Sequence, residues 1–91
     1  MNNIMESKYV EYCLELVAGL CSNEPENIKV TKSVDEMGVL LTVSGISQSD
    51  MPNVIGREGA HAKAIRMLVR VAGAKENARI SMKIDEPSKE I

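Results

Sequence analysis

Two glycines three residues apart, Gly56 and Gly59, interrupt the helical pattern in the second half of the chain. The segment Val54-Ile55-Gly56-Arg57-Glu58-Gly59 therefore reads as a sharp backbone turn between a short helix and a long one, made possible by two residues without a Cβ. Such a loop lets an anion come close to the main chain. It opens onto a helix start, where free N–H groups and the positive end of the dipole favour negative charge. Arg57 adds a guanidinium that can hold two phosphate oxygens at once. A Gly-x-x-Gly spacing by itself equally describes an ordinary corner between helices, so its meaning depends on what flanks it.

The flanking periodicities give the order α-β-β-α-α-β. From about Ile4 to Leu20, Tyr9, Cys13, Leu16, Val17 and Leu20 recur at helical spacing, with Ser7, Lys8, Glu11 and Glu15 opposite. Leu14 falls on the polar side, as a tolerated exposed leucine or a partner contact. The polar run 22–27, with Pro25, is a loop. Ile28 to Val34 reads as a strand, Asp35 to Gly38 as a hairpin connection and Val39 to Ile46 as a second, more buried strand. Ser47, Ser49 or Asp50 can cap a short helix over Met51–Ile55, with Pro52 in its first turn. The long helix runs from about Ala60 to Ala72, with Gly73 as its stop. Ala74 to Ala78 is a loop and Arg79 to Asp85 a third strand. Residues 1–8 are an extension and the start of the first helix, 9–85 the domain, and 86–91 a flexible tail.

On a helical wheel Lys63, Arg66 and Arg70 share one narrow arc, and Ala60, Ala64, Ile65, Leu68, Val71 and Ala72 fill the opposite side, the expected core face. Three cations without an acid differ from the mixed signs of a solubilising face. They fit a surface that follows a phosphate backbone. Charge along the chain agrees. Residues 1–50 hold three lysines against eight acids, and residues 51–91 hold eight Lys/Arg against five acids. A net charge of −2 conceals that asymmetry.

Composition excludes several functions. Phe and Trp are absent and the only aromatics are Tyr9 and Tyr12, so bases cannot stack on strand-borne rings as in many RNA-binding sheets. Cys13 and Cys21 are the only cysteines and His61 the only histidine, which leaves no zinc motif, no disulfide scaffold and no nucleophile–base set. Cys13 reads as core and Cys21 as a partly exposed thiol. The chain is expected to need no cofactor or metal. It shows no apolar run long enough for a membrane span and no secretory n-region, so a cytoplasmic location is expected.

Taken together, the element order, NEPENIKV at 23–30, SDMPNVIGREG at 49–59, AKAIR at 62–66 and KENARISMKI at 75–84 resemble a type II KH domain, and more closely the small bacterial KH proteins of the KhpA type. The resemblance spans about Tyr9 to Asp85. It implies an α+β fold with a three-stranded sheet covered on one side by three helices, and a non-catalytic module that clamps about four unpaired nucleotides. By that analogy Gly56, Arg57, Glu58 and Gly59 grip the backbone. Ile55, His61, Lys63, Arg66 and Arg70 line one wall, and Lys75 and Arg79, on the variable loop and last strand, the other. His61 stays open between a partly buried helix-start residue and a hydrogen-bond partner of phosphate or base. Glu58 places a carboxylate where binding would be opposed. The resemblance further implies single-stranded RNA as ligand, with single-stranded DNA not distinguished from it. It implies an RNA chaperone or post-transcriptional regulator linked to cell shape, and a homodimer or a heterodimer with a larger KH-containing protein of the KhpB/Jag type. No small-molecule substrate is expected. The rival expectation is an interaction scaffold of the same fold with weakened RNA contact.

Overall fold

A computed structural model describes residues 8–86. The expected helix start at Ile4–Ser7 and most of the expected C-terminal tail lie outside them. The elements are α1 (Lys8–Ala18), β1 (Lys29–Asp35), β2 (Gly38–Ser44), α2 (Met51–Ile55), α3 (Ala60–Ala74) and β3 (Ile80–Ile84), with a single 3₁₀ turn at Pro25–Asn27 and another at Arg57–Gly59.

The sheet order is β1-β2-β3. β1 and β2 form an antiparallel hairpin in which Asp35 pairs with Gly38 and Lys29 with Ser44, and the Asp35 carboxylate accepts the Met37 N–H to shape the turn. β2 and β3 are parallel, with Val39 opposite Ile80 and Val43 opposite Ile84. A parallel pair requires a crossover connection, which α2 and α3 supply. β2 is the central strand and alternates: Val39, Leu41 and Val43 are buried, and Leu40 faces outward. Tyr9, Cys13 and Val17 of α1, Val54 of α2 and Ile65 and Val69 of α3 complete the core with Ile80 and Met82. The Cys13 thiol lies 3.7 Å from the Met82 sulfur, and burial pushes its pKa up to about 11, so it remains a neutral thiol in the core.

Two sequence expectations for α3 are corrected. Its buried residues are Ala62, Ile65, Val69 and Gly73, whereas Ala60, Ala64, Met67, Leu68 and Val71 are exposed. The inward face is thus rotated from the expected one, with only Ile65 and the half-buried Ala72 in common. An alanine-rich helix with apolar residues around most of its circumference does not mark one inward stripe. Gly73 is not the stop. It sits inside α3, where a Cβ would collide with the Ile80 side chain. Termination falls to Asn77, whose φ of 60° is left-handed. The Ala78 N–H reaches the Gly73 carbonyl and the Asn77 N–H the Ala74 carbonyl, the Schellman pattern with asparagine in place of glycine.

Candidate nucleic-acid interface

The loop is held by what precedes it. Asp50, at the start of α2, turns its carboxylate away from that helix and toward the chain following α1. It accepts the backbone N–H of Ser22 at 2.9 Å, of Asn23 at 3.0 Å and of Glu24 at 3.4 Å, and the Ser47 hydroxyl at 3.2 Å. Among the described residues Asp50 is the one buried polar residue. The Ser22 N–H is the main cause of a pKa below the usual carboxylate range; burial opposes it, and the N–H groups of Asn23 and Glu24 and the Ser47 hydroxyl add to it. Three residues on, Asn53 donates its side-chain amide to the Leu20 carbonyl at 2.8 Å. The start of α2 is therefore tied twice to the chain that follows α1. Sequence reading placed Asp50 only as a possible cap; its partners lie 26–28 residues away, beyond any local signal.

α2 ends at Gly56, with φ 80° and ψ 169°. Arg57–Gly59 then form one tight turn in which Glu58 (φ 56°) and Gly59 (φ 77°) are both left-handed. The two glycines serve different ends. A Cβ on Gly56 would stand 2.6 Å from the His61 ring and 2.7 Å from its backbone nitrogen, so this glycine lets α3 begin close against the end of α2. A Cβ on Gly59 would meet nothing nearer than the Lys63 Cε at 3.9 Å. Gly59 is needed for its backbone angle, and the space outside it is open. No side chain caps α3; within the turn the Gly59 N–H bonds the Gly56 carbonyl and the Ala60 N–H the Arg57 carbonyl, and the remaining first-turn N–H groups have no intrahelical acceptor.

The expected site residues separate into three groups. Ile55 is half-buried against the core and fixes the end of α2. Arg57, Glu58, Lys63 and Arg70 are exposed, and none of the three cations is held in an ion pair among the described residues. Arg66 is half-buried and donates its Nε–H to the Met82 carbonyl at 3.2 Å. In the parallel register the Arg79 carbonyl and the Asp85 N–H bond to β2, so the polar groups of Met82 belong to the open edge of β3. Arg66 thus bridges α3 to that edge and occupies one acceptor that a base would otherwise find there.

Lys75 and Arg79 lie elsewhere. α3 rises about 1.5 Å per residue, which puts its last turn about 20 Å from the loop. β3 runs back beside it, with Ile80 against Gly73. Lys75 lines a groove between α1 and α3 with Tyr12, Leu68 and Val71, and Arg79 precedes β3 at the same remote end. The structure does not bring these two cations to the glycine loop. Sequence reading missed the exposed apolar stripe Met67, Leu68 and Val71 on α3, with 56%, 40% and 53% exposure. Its signal is present in the apolar arc of the helix that reads as core in the sequence.

Among the described residues no group of His, Cys, Asp and Glu is arranged to hold a metal, and no helix is long and apolar enough to cross a membrane.

Comparison with known proteins agrees with this architecture. The family model for the KhpA/KhpB KH domain matches residues 11–84. The RNA-binding protein KhpA of Clostridium perfringens is 35% identical over 71 residues, covering 78% of this chain and 93% of the relative. That of Listeria monocytogenes is 36% identical over 76 residues, covering 84% and 97%. That of Bacillus subtilis is 28% identical over 80 residues, covering 88% and 98%.

Proposed function

The chain belongs to the KhpA/KhpB family of KH domains, and on that footing we propose that it is a non-catalytic, cytoplasmic single-stranded RNA-binding protein that grips phosphate with its glycine loop. The observation that carries the reading is the open space outside Gly59, in front of the uncapped start of α3. A phosphate there meets backbone N–H groups, with Arg57 and Lys63 beside them. Lys63 and Arg70 extend positive charge along α3, and Arg66 stands at the open edge of β3. That groove takes about four unpaired nucleotides by analogy with the fold. His61 belongs to the loop, with its ring against Gly56. Lys75 and Arg79 remain outside the core of the site. The relatives' name, RNA-binding protein, supports the same reading.

Grip on a short single strand without aromatic stacking suits a chaperone or post-transcriptional regulator that binds and releases many transcripts. Single-stranded DNA would meet the same groups. A second observation favours association with another KH module. Met67, Leu68 and Val71 form an apolar stripe beside the groove between α1 and α3, on a side of α3 apart from its cations. A second copy, or a larger KH-containing protein, would cover it.

Purification under native conditions separates RNA binding from a pure scaffold role. Nucleic acid that co-purifies, raises the 260/280 nm absorbance ratio and disappears on ribonuclease treatment is expected. A stable protein complex that is free of RNA and indifferent to nuclease would replace this reading with the scaffold.

A further inference from the structure

His61 lies in the first turn of α3, half-buried, with its ring across Gly56. Its Nδ1 is hydrogen-bonded to the Asn53 carbonyl. That carbonyl belongs to the last turn of α2, where intrahelical donors run out. A carbonyl only accepts, so Nδ1 carries the proton, and in the neutral ring Nε2 is then bare. Among the described residues Nε2 has no hydrogen-bond partner. One imidazole therefore joins α2, the glycine loop and α3, and keeps a nitrogen in reserve.

We infer that His61 is the positioning residue of the glycine loop and that it strengthens the loop's hold on RNA phosphate when its Nε2 takes up a proton. The inference rests on the RNA reading above. Because Nδ1–H donates to Asn53 in both charge states, protonation leaves the loop intact. It adds a donor and a positive charge on the first turn of α3, two residues from Gly59. The surrounding charged groups are Arg57 and Glu58 on the loop, Lys63 on α3, and Asp50 at the far end of α2; α2 itself has none.

Two measurements test this. His61 is the only histidine, so long-range ¹H–¹⁵N correlation spectra show a single ring. At pH 8 the ring is expected to carry its proton on Nδ1 with Nε2 unprotonated. A ring protonated on Nε2, or the averaged pattern of free histidine, overturns the positioning role. The second measurement is the affinity for a fluorescent random-sequence single-stranded RNA pool at pH 5.5 and pH 8, for the wild type, His61→Asn and His61→Gln. Thermal melts of each are taken alongside. Asn places its amide donor where Nδ1 stood, and Gln places it where Nε2 stood.

The wild type is expected to bind about three- to fivefold tighter at pH 5.5, the worth of one exposed charge pair. His61→Asn is expected to match the wild type at pH 8 and to gain nothing on acidification. His61→Gln is expected to bind more weakly at pH 8. An equal acid gain in His61→Asn, or full pH 8 affinity in His61→Gln, overturns the proposal. A wild type that binds no RNA at either pH overturns the RNA reading and the acid gain with it, while the ring spectrum still decides the positioning role.

Discussion

The side chain of Ile80 fills the space in which Gly73 would carry a Cβ. β3 packs against α3 through this contact, and Arg66 to Met82 is the polar counterpart further along. Replacing glycine by alanine in a helix interior ordinarily gains about 1 kcal/mol. Here the added methyl meets a buried branched side chain, and overpacking costs about 1–3 kcal/mol. Gly73→Ala is expected to lower the stability measured by urea unfolding. A stabilised variant would mean that β3 is not seated on α3 at this point.

Asp50 makes stability depend on pH. Its folded pKa lies below that of the unfolded chain, chiefly because the Ser22 N–H bonds the charged form. The stabilisation is therefore fully present above the ordinary aspartate value of about 3.9. It is lost as pH falls through the lower, folded value. Asp50→Asn is expected to be less stable than the wild type at pH 7, with the gap narrowing as the pH is lowered toward 3. A gap independent of pH would show that the carboxylate's charge is not what holds the chain after α1.

The orientation of α3 separates Ile65 from Leu68. Ile65 is 4% exposed and Leu68 40%. Ile65→Ala is expected to cost about 2–4 kcal/mol. Leu68→Glu is expected to change monomer stability by no more than about 0.5 kcal/mol and to shift the sedimentation of any self-associated species toward the monomer. Equal destabilisation by both changes would place Leu68 in the core.

Glu58 combines a left-handed backbone with a carboxylate at the proposed phosphate site. The conformation costs an ordinary residue about 1–2 kcal/mol, and asparagine tolerates it better. Glu58→Asn is expected to raise stability by about 0.5–1 kcal/mol and to tighten RNA binding, since it relieves the backbone and removes the opposing charge. Weaker binding by a stabilised variant would give Glu58 a positive role in the contact.

The elements were largely legible because their patterns differ: α2 stands at the predicted residues, alternation marks β1 and β3, and an apolar, β-branched run marks β2. The loop was legible because glycine suits both the close approach at 56 and the left-handed angle at 59. What was not legible depends on contacts distant in sequence. Gly73 is glycine because of Ile80, and Asp50 is buried because of Ser22 to Glu24. The inward face of α3 could not be read from a helix whose alanines fit either side. That same ambiguity placed Leu68 and Val71 in the core and hid the apolar stripe. The resemblance puts Lys75 and Arg79 on the far wall of the groove, and the length of α3 separates them from the glycine loop.

The most direct test is the fluorescence anisotropy of labelled single-stranded RNA titrated with the wild type and with the double variant Arg57→Asp/Glu58→Asp, at two salt concentrations. The wild type should bind with log affinity falling at a slope of about −2 against log salt, as for about three phosphates on a single strand. The folded double variant should not bind. Wild-type affinity retained by the folded variant would contradict a phosphate grip centred on the glycine loop.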